Sequence, residues 1–289
     1  ECPENSTTED LLSQWRSKQS AKVTLLLDEF LSSLKESLSI SRVSLVEKPG
    51  GFHTFILIRR NSNPENPVFF LSYNNPKKEL LVTRYETIYH FAGELEDFIT
   101  PGPPLLKIPF GLCLPAHSFM YLCALTDLYR RRYYASLLDH TTMTFPFFHS
   151  DIVRTIQDAR TSGDMRWLLP HIFSIMPGEP GELLKGDLTN EISWLLKNNY
   201  LIKGKNQDEY DCSDNCKNFL KLLTSGNNRI GITNFHQDTD MGITIESVCI
   251  IRAPRAIIAI NIGIDNNKVK AVLSTLNFEQ LLDFTIKFL

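Results

Sequence analysis

The feature that most constrains this chain is a pattern that occurs twice. Between residues 87 and 99, apolar side chains recur at helical spacing: Ile88, Phe91, Ala92, Leu95, Phe98 and Ile99. At an offset of 190 residues stand Phe278, Leu281, Leu282, Thr285, Phe288 and Leu289, five of the six apolar and in the same phase. Steps of three and four residues place such a set on one face of a helix. Short extended runs precede each helix. Val43–Val46, Phe52–Ile58, Val68–Tyr73 and Glu79–Thr83 precede the first; Arg229–Thr233, Ile243–Ile251, Ala256–Ile262 and Val269–Leu273 precede the second. Turn signals separate them at Pro49-Gly50-Gly51, Asn74-Asn75-Pro76-Lys77, Ala253-Pro254-Arg255 and Asp265-Asn266-Asn267-Lys268. The last strand and its Asn-bearing turn fall at nearly the same offset in both copies. The pattern predicts an α+β fold with two related units, each a four-stranded antiparallel meander closed by a helix. Any two meander-plus-helix segments share a general look; the shared phase of both periods is what argues for a duplication.

The rest of the chain divides around this repeat. A helical pattern over Glu9–Leu38 (Leu11, Leu12, Trp15, then Val23, Leu26, Leu27, Phe30, Leu31, Leu34) joins the first meander to form a unit over residues 1–100. Thr100-Pro101-Gly102-Pro103-Pro104 and Pro177-Gly178-Glu179-Pro180-Gly181 are breaks by composition, and they bound a helical linking region over 101–181. Within it the spacing predicts a long helix from Pro115 to about His140. A second begins near Pro146 and ends near Ser162-Gly163, and a short one over Asp164–Ile175 is interrupted by Pro170. Residues 182–289 hold the second unit, preceded by a helix, hairpin and helix. Asp187-Leu188-Thr189 caps a helix bearing Ile192, Leu195 and Leu196. Tyr200-Leu201-Ile202 and Tyr210 flank a turn at Gly204–Gln207, and Ser213 caps a helix bearing Cys216, Phe219, Leu220, Leu222 and Leu223. That cadence is the closing part of a winged helix.

Charge and motif content narrow the function. In 289 residues, 30 Lys and Arg face 33 Asp and Glu, a net charge of −3. A winged helix that binds DNA needs Lys and Arg gathered on its recognition helix and wing. Here the helix offers Lys185 and Lys197, while Lys203 and Lys205 in the wing are balanced by Asp208, Glu209 and Asp211. The balance speaks against nucleic acid. The most apolar run, Val248–Ile264, is broken by Arg252, Pro254 and Arg255 and reads as two buried strands, not a membrane span. No phosphate-cradling glycine motif, H-E-x-x-H or G-x-S-x-G occurs, so neither a cofactor nor a metal is implied. Cys113, Cys123 and Cys249 read as small core residues, and Cys212 and Cys216 as one helical turn with both thiols on one face. His140 and His149, around Phe145–Phe148, read as packed histidines. His236, Asp238 and Asp240 read as a solvated turn, and Glu94, Glu96 and Asp97 as the wet face of a helix.

The candidate site is Asp127-Leu128-Tyr129-Arg130-Arg131-Arg132-Tyr133-Tyr134, where three arginines and three tyrosines fall within six helical positions. Arginine and tyrosine concentrate at binding hot spots because they bury area while keeping a polar end satisfied. Tyr129, Arg130, Arg131, Tyr133 and Tyr134 are the candidate partner-binding residues. Asp127 is placed to pair with Arg130 or Arg131 along the helix, and Arg166-Trp167 with the aromatic run at 145–148 would extend the surface. The alternative is an amphipathic helix whose tyrosines pack and whose arginines are solvated.

The offset repeat of Val68–Ile99 with Ala256–Leu289, and the helix–hairpin–helix of 188–223 feeding into Arg229–Thr233, resemble the EspG-like chaperones of type VII secretion systems. The resemblance lies in arrangement over most of the chain; it carries no motif and transfers no binding residue. The first half departs from it, since no helix–hairpin–helix precedes its sheet. The resemblance implies two related α/β halves with helical bundles, in a cytosolic protein that holds a secretion substrate. The expectation is a non-enzymatic, cytoplasmic protein-binding adaptor whose partner is another protein. A winged-helix nucleic-acid regulator and an enzyme with a site assembled from scattered residues are the alternatives. The chain begins at Glu1, which leaves a removed signal peptide and a secreted location open, and only there would Asn5-Ser6-Thr7 matter as a glycosylation triplet.

Overall fold

A computed structural model describes residues 13, 21–35, 39–47, 51–59, 63–74, 77–103, 105, 111–176, 189–226, 228–238, 242–265 and 268–289. The start of the N-terminal helical pattern, parts of three predicted turns, the 177–181 break, the cap at Asp187-Leu188, and Cys2, Asn5-Ser6-Thr7, Lys185 and Asp240 lie outside the described residues.

Helix α1 (Ala21–Lys35) leads into β1 (Ser39–Glu47), β2 (Gly51–Arg59), β3 (Val68–Asn74) and β4 (Glu79–Tyr85), and α2 (Ile88–Ile99) closes this meander. The middle of the chain runs β5 (Gly111–Pro115), α3 (Ala116–Leu138), β6 (Phe147–Phe148), α4 (His149–Thr161) and α5 (Leu168–Ile175). Then come α6 (Thr189–Lys197), β7 (Leu201–Lys203), β8 (Glu209–Cys212) and α7 (Asp214–Thr224). The second meander is β9 (Arg229–Asp238), β10 (Gly242–Ala253), β11 (Ala256–Asp265) and β12 (Lys268–Leu276), closed by α8 (Phe278–Phe288). The fold is α+β. Among the described residues no helix is long and apolar enough to cross a membrane.

Among the described residues both meanders belong to one nine-stranded sheet, ordered β4-β3-β2-β1-β9-β10-β11-β12-β5. Its centre is the antiparallel pair β1–β9, where Val43 lies opposite Ile232. Walking outward from that pair, directly opposed residues run Val43, Phe55, Ser72, Leu81 on one side. On the other they run Ile232, Val248, Asn261, Val272. The strands are therefore related by a local two-fold through the Val43–Ile232 pair. The structural match of the strands departs from the constant helix offset of 190, because hairpins of unequal length shift the register; Val43 matches Ile232, and Leu81 matches Val272.

One sheet face is covered by α2 and α8, which pack against each other. Phe91, Leu95 and Ile99 from α2, with Leu281 and Phe288 from α8, meet Val43, Phe55, Val68, Ile232 and Val248 in one buried cluster. Thr285, the one polar residue in the repeated apolar phase, is buried as well. On the opposite face α1 sits on the N-terminal meander through Phe30, which packs on Ile58 and Phe69. The C-terminal meander is covered on that face by α3, α5 and α7.

Local chemistry explains the element ends. Pro170 does not interrupt its helix: α5 starts after Trp167, so the proline lies in the first turn, where backbone N–H groups have no intrahelical acceptor. Ser213 caps α7 by accepting from Cys216 N at 3.2 Å. Asn277 and Gln280 form a reciprocal capping box at the start of α8. Cys212 ends β8 and only Cys216 is helical, so the two thiols do not share one helical turn, although both are buried. Cys113 is exposed, contrary to the core reading, because it points away from the bundle on the edge strand β5. Arg252, on the strand the sequence marks as interrupted, is buried and donates to the carbonyls of Pro103 (2.6 Å) and Ala253 (2.9 Å). The hairpin β7–β8 is joined by β6 in a second, three-stranded sheet ordered β6-β8-β7.

Candidate functional site

The site is built on α3. Its first half, from Ser118 to Asp127, is buried on every side, as expected of a helix that is apolar all round. Beyond Asp127 the helix leaves the bundle. Tyr133 is 47% exposed, Tyr134 43% and Leu138 81%, with Leu137 also exposed.

Asp127 is not paired along the helix with Arg130 or Arg131. Its carboxylate accepts from the backbone N–H groups of Leu168 and Leu169, both at 2.8 Å, and so caps the N-terminus of α5. A carboxylate there satisfies two otherwise orphaned donors and complements the helix dipole. Burial pushes its pKa above the ordinary carboxylate range, against the downward pull of the two amides and of Arg229 and Arg130. The loop before α5 is held at several points. Arg229 donates to the carbonyls of Met165 and Arg166, each at 2.7 Å, and Arg130 Nη1 to that of Arg166 at 2.8 Å. Arg166 in turn makes a two-point contact with Asp164, through Nε and Nη2 at 2.8 Å each.

This loop carries Trp167, and the arginines of α3 stack on it. The guanidinium of Arg130 lies 5.3 Å from the indole centroid and that of Arg131 5.0 Å. Arg130 also lies over the Tyr134 ring at 5.6 Å, and Arg131 pairs with Asp158 of α4 at 3.5 Å. Arg132 turns the other way, to the carbonyl of Pro146 (2.5 Å) and the carboxylate of Asp151 (3.0 Å). Tyr129 packs on Phe145 at 5.4 Å, and Tyr133 lies beside Tyr134 at 5.9 Å. The structure thus brings Tyr129, Arg130, Arg131, Tyr133 and Tyr134 together with Trp167 and Phe145. Phe148 lies elsewhere, beside a groove of about 760 Å³ between α4, α6 and the β7–β8 turn. A cleft of about 370 Å³ between α3 and the end of α7 is lined by Tyr129, Arg130, Tyr133, Tyr134, Lys221 and Thr224.

The role of Trp167 as the plate under two arginines has no local signal; only its neighbour Arg166 and its aromatic character mark it. A second polar group escaped the sequence reading. His171 of α5 is buried, with Nε2 3.0 Å from Ser44 Oγ and Nδ1 3.9 Å from Cys249 Sγ. Burial holds the imidazole well below its usual pKa and pushes the Cys249 thiol up to about 12. The cluster has no room for a substrate. A Cβ on Gly231 would come within 2.5 Å of Ser44 Oγ and Ile175 Cγ2 and 2.8 Å of His171 Nε2. The hydrogen bond that the Cys216 thiol makes to Cys212, with burial, raises that thiol above the usual range. No cluster of three or more His, Cys, Asp or Glu suited to a metal occurs among the described residues. His236 contacts Asn234 Nδ2 at 2.8 Å from within β9, not from a turn.

No family model matches the chain, and no curated protein matches it. Among solved structures it is similar to the Mycobacterium tuberculosis type VII secretion system chaperone EspG5, in a structure with the PE25–PPE41 dimer. The TM-score is 0.44 and the identity 7%, over 90% of this chain and 76% of that one. This is a weak structural resemblance, and it assigns no residue a role.

Proposed function

We propose that this chain is a non-enzymatic, cytoplasmic protein-binding adaptor, chaperone-like in holding another protein, and that the exposed end of α3 is its contact surface. One observation carries the reading. Tyr133, Tyr134, Leu137 and Leu138 are exposed on a helix whose neighbouring arginines are already fixed by Trp167, Asp158 and the Arg166 carbonyl. A surface ordered before binding loses less side-chain entropy on association. Aromatic and apolar groups on such a surface supply the area that forms a hot spot.

The test compares partners captured from the source cells by the parent and by Tyr133→Ser with Tyr134→Ser, identified by mass spectrometry. The reading expects an unchanged melting temperature and loss of at least one stoichiometric partner; an identical partner set in the variant rejects the surface. A second reading draws on the β6-β8-β7 sheet flanked by α4 and α6, an arrangement that suits a winged-helix module. Its acidic residues, Asp208 in the turn and Glu209 and Asp211 in β8, set it second. Retention on duplex DNA with steep salt dependence would promote it.

A further inference from the structure

The sheet is two-fold in its strands but not in its cover. At the C-terminal edge β12 is paired by β5, with Ala271 opposite Leu114, Val272 opposite Cys113 and Leu273 opposite Leu112. The chain then turns directly into α3, which packs over β12 on one face. Among the described residues β4 ends the sheet at the N-terminal edge. Opposed residues run Arg42, Ile56, Leu71, Val82 and stop. The matching row runs Gly231, Cys249, Ile260, Leu273 and continues into Leu112 of β5. Likewise Tyr73 and Leu80 match Ile262 and Ala271, the latter opposed by Leu114.

Exposure follows the same asymmetry. Cys249, Ile262, Ala271 and Leu273 are each 0% exposed. Their counterparts Ile56, Tyr73, Leu80 and Val82 are 42%, 58%, 56% and 40% exposed, and Leu81, on the other face of β4, is 58% exposed. A strand with unpaired backbone groups and apolar residues on both faces is a template for pairing. The helix α1 covers the meander at Ile58 and Phe69 and leaves these residues open.

We propose that β4 and the adjoining face of β3 form a docking slot for a segment of another protein. That segment is extended over about five residues, runs antiparallel to β4 and continues into a helix, as β5 continues into α3 at the matching slot; unlike the first half of α3, which is buried on every side, this helix is amphipathic, with one face on the sheet and the other in solvent. Its strand carries apolar residues at alternate positions, in the manner of Leu112 and Leu114, and its helix lays an apolar stripe over Ile56, Tyr73, Leu80 and Val82. A second copy paired through β4 would satisfy the backbone but would set two uncovered faces side by side. A strand that continues into a helix covers both the edge and the face. The slot is separate from the end of α3, and either surface stands without the other.

The probe is a labelled synthetic peptide of residues 111–130 of this chain, the segment that fills the matching slot, titrated onto the full chain by fluorescence anisotropy. Saturable binding is expected, with new hydrogen-exchange protection at residues 80–82. Leu80→Glu and Val82→Lys, both at exposed positions, should each weaken binding at least tenfold while leaving circular dichroism and melting unchanged. Val272→Glu, on the strand whose edge is already paired, should not change it. Absence of saturable binding, or binding indifferent to both β4 substitutions, overturns the proposal. It is equally overturned if the 80–82 amides are already protected in the dilute free monomer, which would mean the chain fills its own slot. A dimer abolished by Leu80→Glu gives the slot to a second copy and also overturns it.

Discussion

Replacing Asp127 with alanine removes a carboxylate that is 1% exposed and accepts two backbone N–H groups at 2.8 Å. Each buried donor left without a partner costs roughly 1–3 kcal/mol. The loss is partly offset, because the carboxylate's own desolvation is relieved and burial already outweighs its amides in raising its pKa. The balance is about 2–4 kcal/mol. A chain of this size loses roughly 2–4 °C of melting temperature per kcal/mol, so a drop on the order of 10 °C is expected. Urea unfolding followed by tryptophan fluorescence and by circular dichroism measures it, with Trp167 beside the affected helix start. Asp127→Asn keeps one acceptor and sheds the buried charge, so it should cost less than half as much. The pH dependence has a definite sign. A raised folded pKa means that the fold holds this proton more tightly than the unfolded chain does. The contribution is therefore full below the ordinary carboxylate pKa of about 4 and is lost as pH rises through the folded value. The parent should lose ground to Asp127→Asn as pH climbs from about 4. An alanine variant within about 0.5 kcal/mol of the parent, or the opposite slope, refutes the reasoning.

His171 carries the opposite sign. Burial depresses its folded pKa, so below about pH 6.5 the unfolded chain takes up a proton that the fold refuses. Stability should fall by up to about 1.4 kcal/mol per pH unit as pH drops from 6.5, and His171→Gln should flatten that slope in urea midpoints taken between pH 7 and 5. Gly231→Ala drives a methyl into Ser44, Ile175 and His171 and should cost about 1–3 kcal/mol by thermal melting; a neutral result would mean that this junction of β1, β9 and α5 is looser than described.

What was legible in the sequence is what local periodicity encodes. The near-continuous apolar run Ala256–Ile262, bounded by turn signals, and the three-and-four spacing from Ile88 to Ile99 each specify an element whose partners lie nearby, and both formed as read. Pairing over long separations was not legible. Nothing in Ser39–Glu47 states that its second neighbour is β9, and the five residues of β5 are too few for a periodic signal. The candidate site was half legible. The run Tyr129–Tyr134 marks itself by composition, but Asp127 bonds to a helix 41 positions onward, so local spacing named the wrong partner. Cys113 was misplaced for a related reason: apolar neighbours in sequence do not reveal which face of an edge strand a residue takes.

The β1–β9 pair at the centre of the sheet also sets a timetable during synthesis. The two strands are separated by roughly 190 residues, so at about 5–20 residues per second the first waits on the order of 10–40 s before the ribosome delivers its mate. Through that interval the nascent N-terminal meander has two bare edges, β1 and β4, instead of one. Arrested chains that stop short of Arg229 should therefore be the species most prone to stick to one another or to recruit chaperones at the tunnel exit.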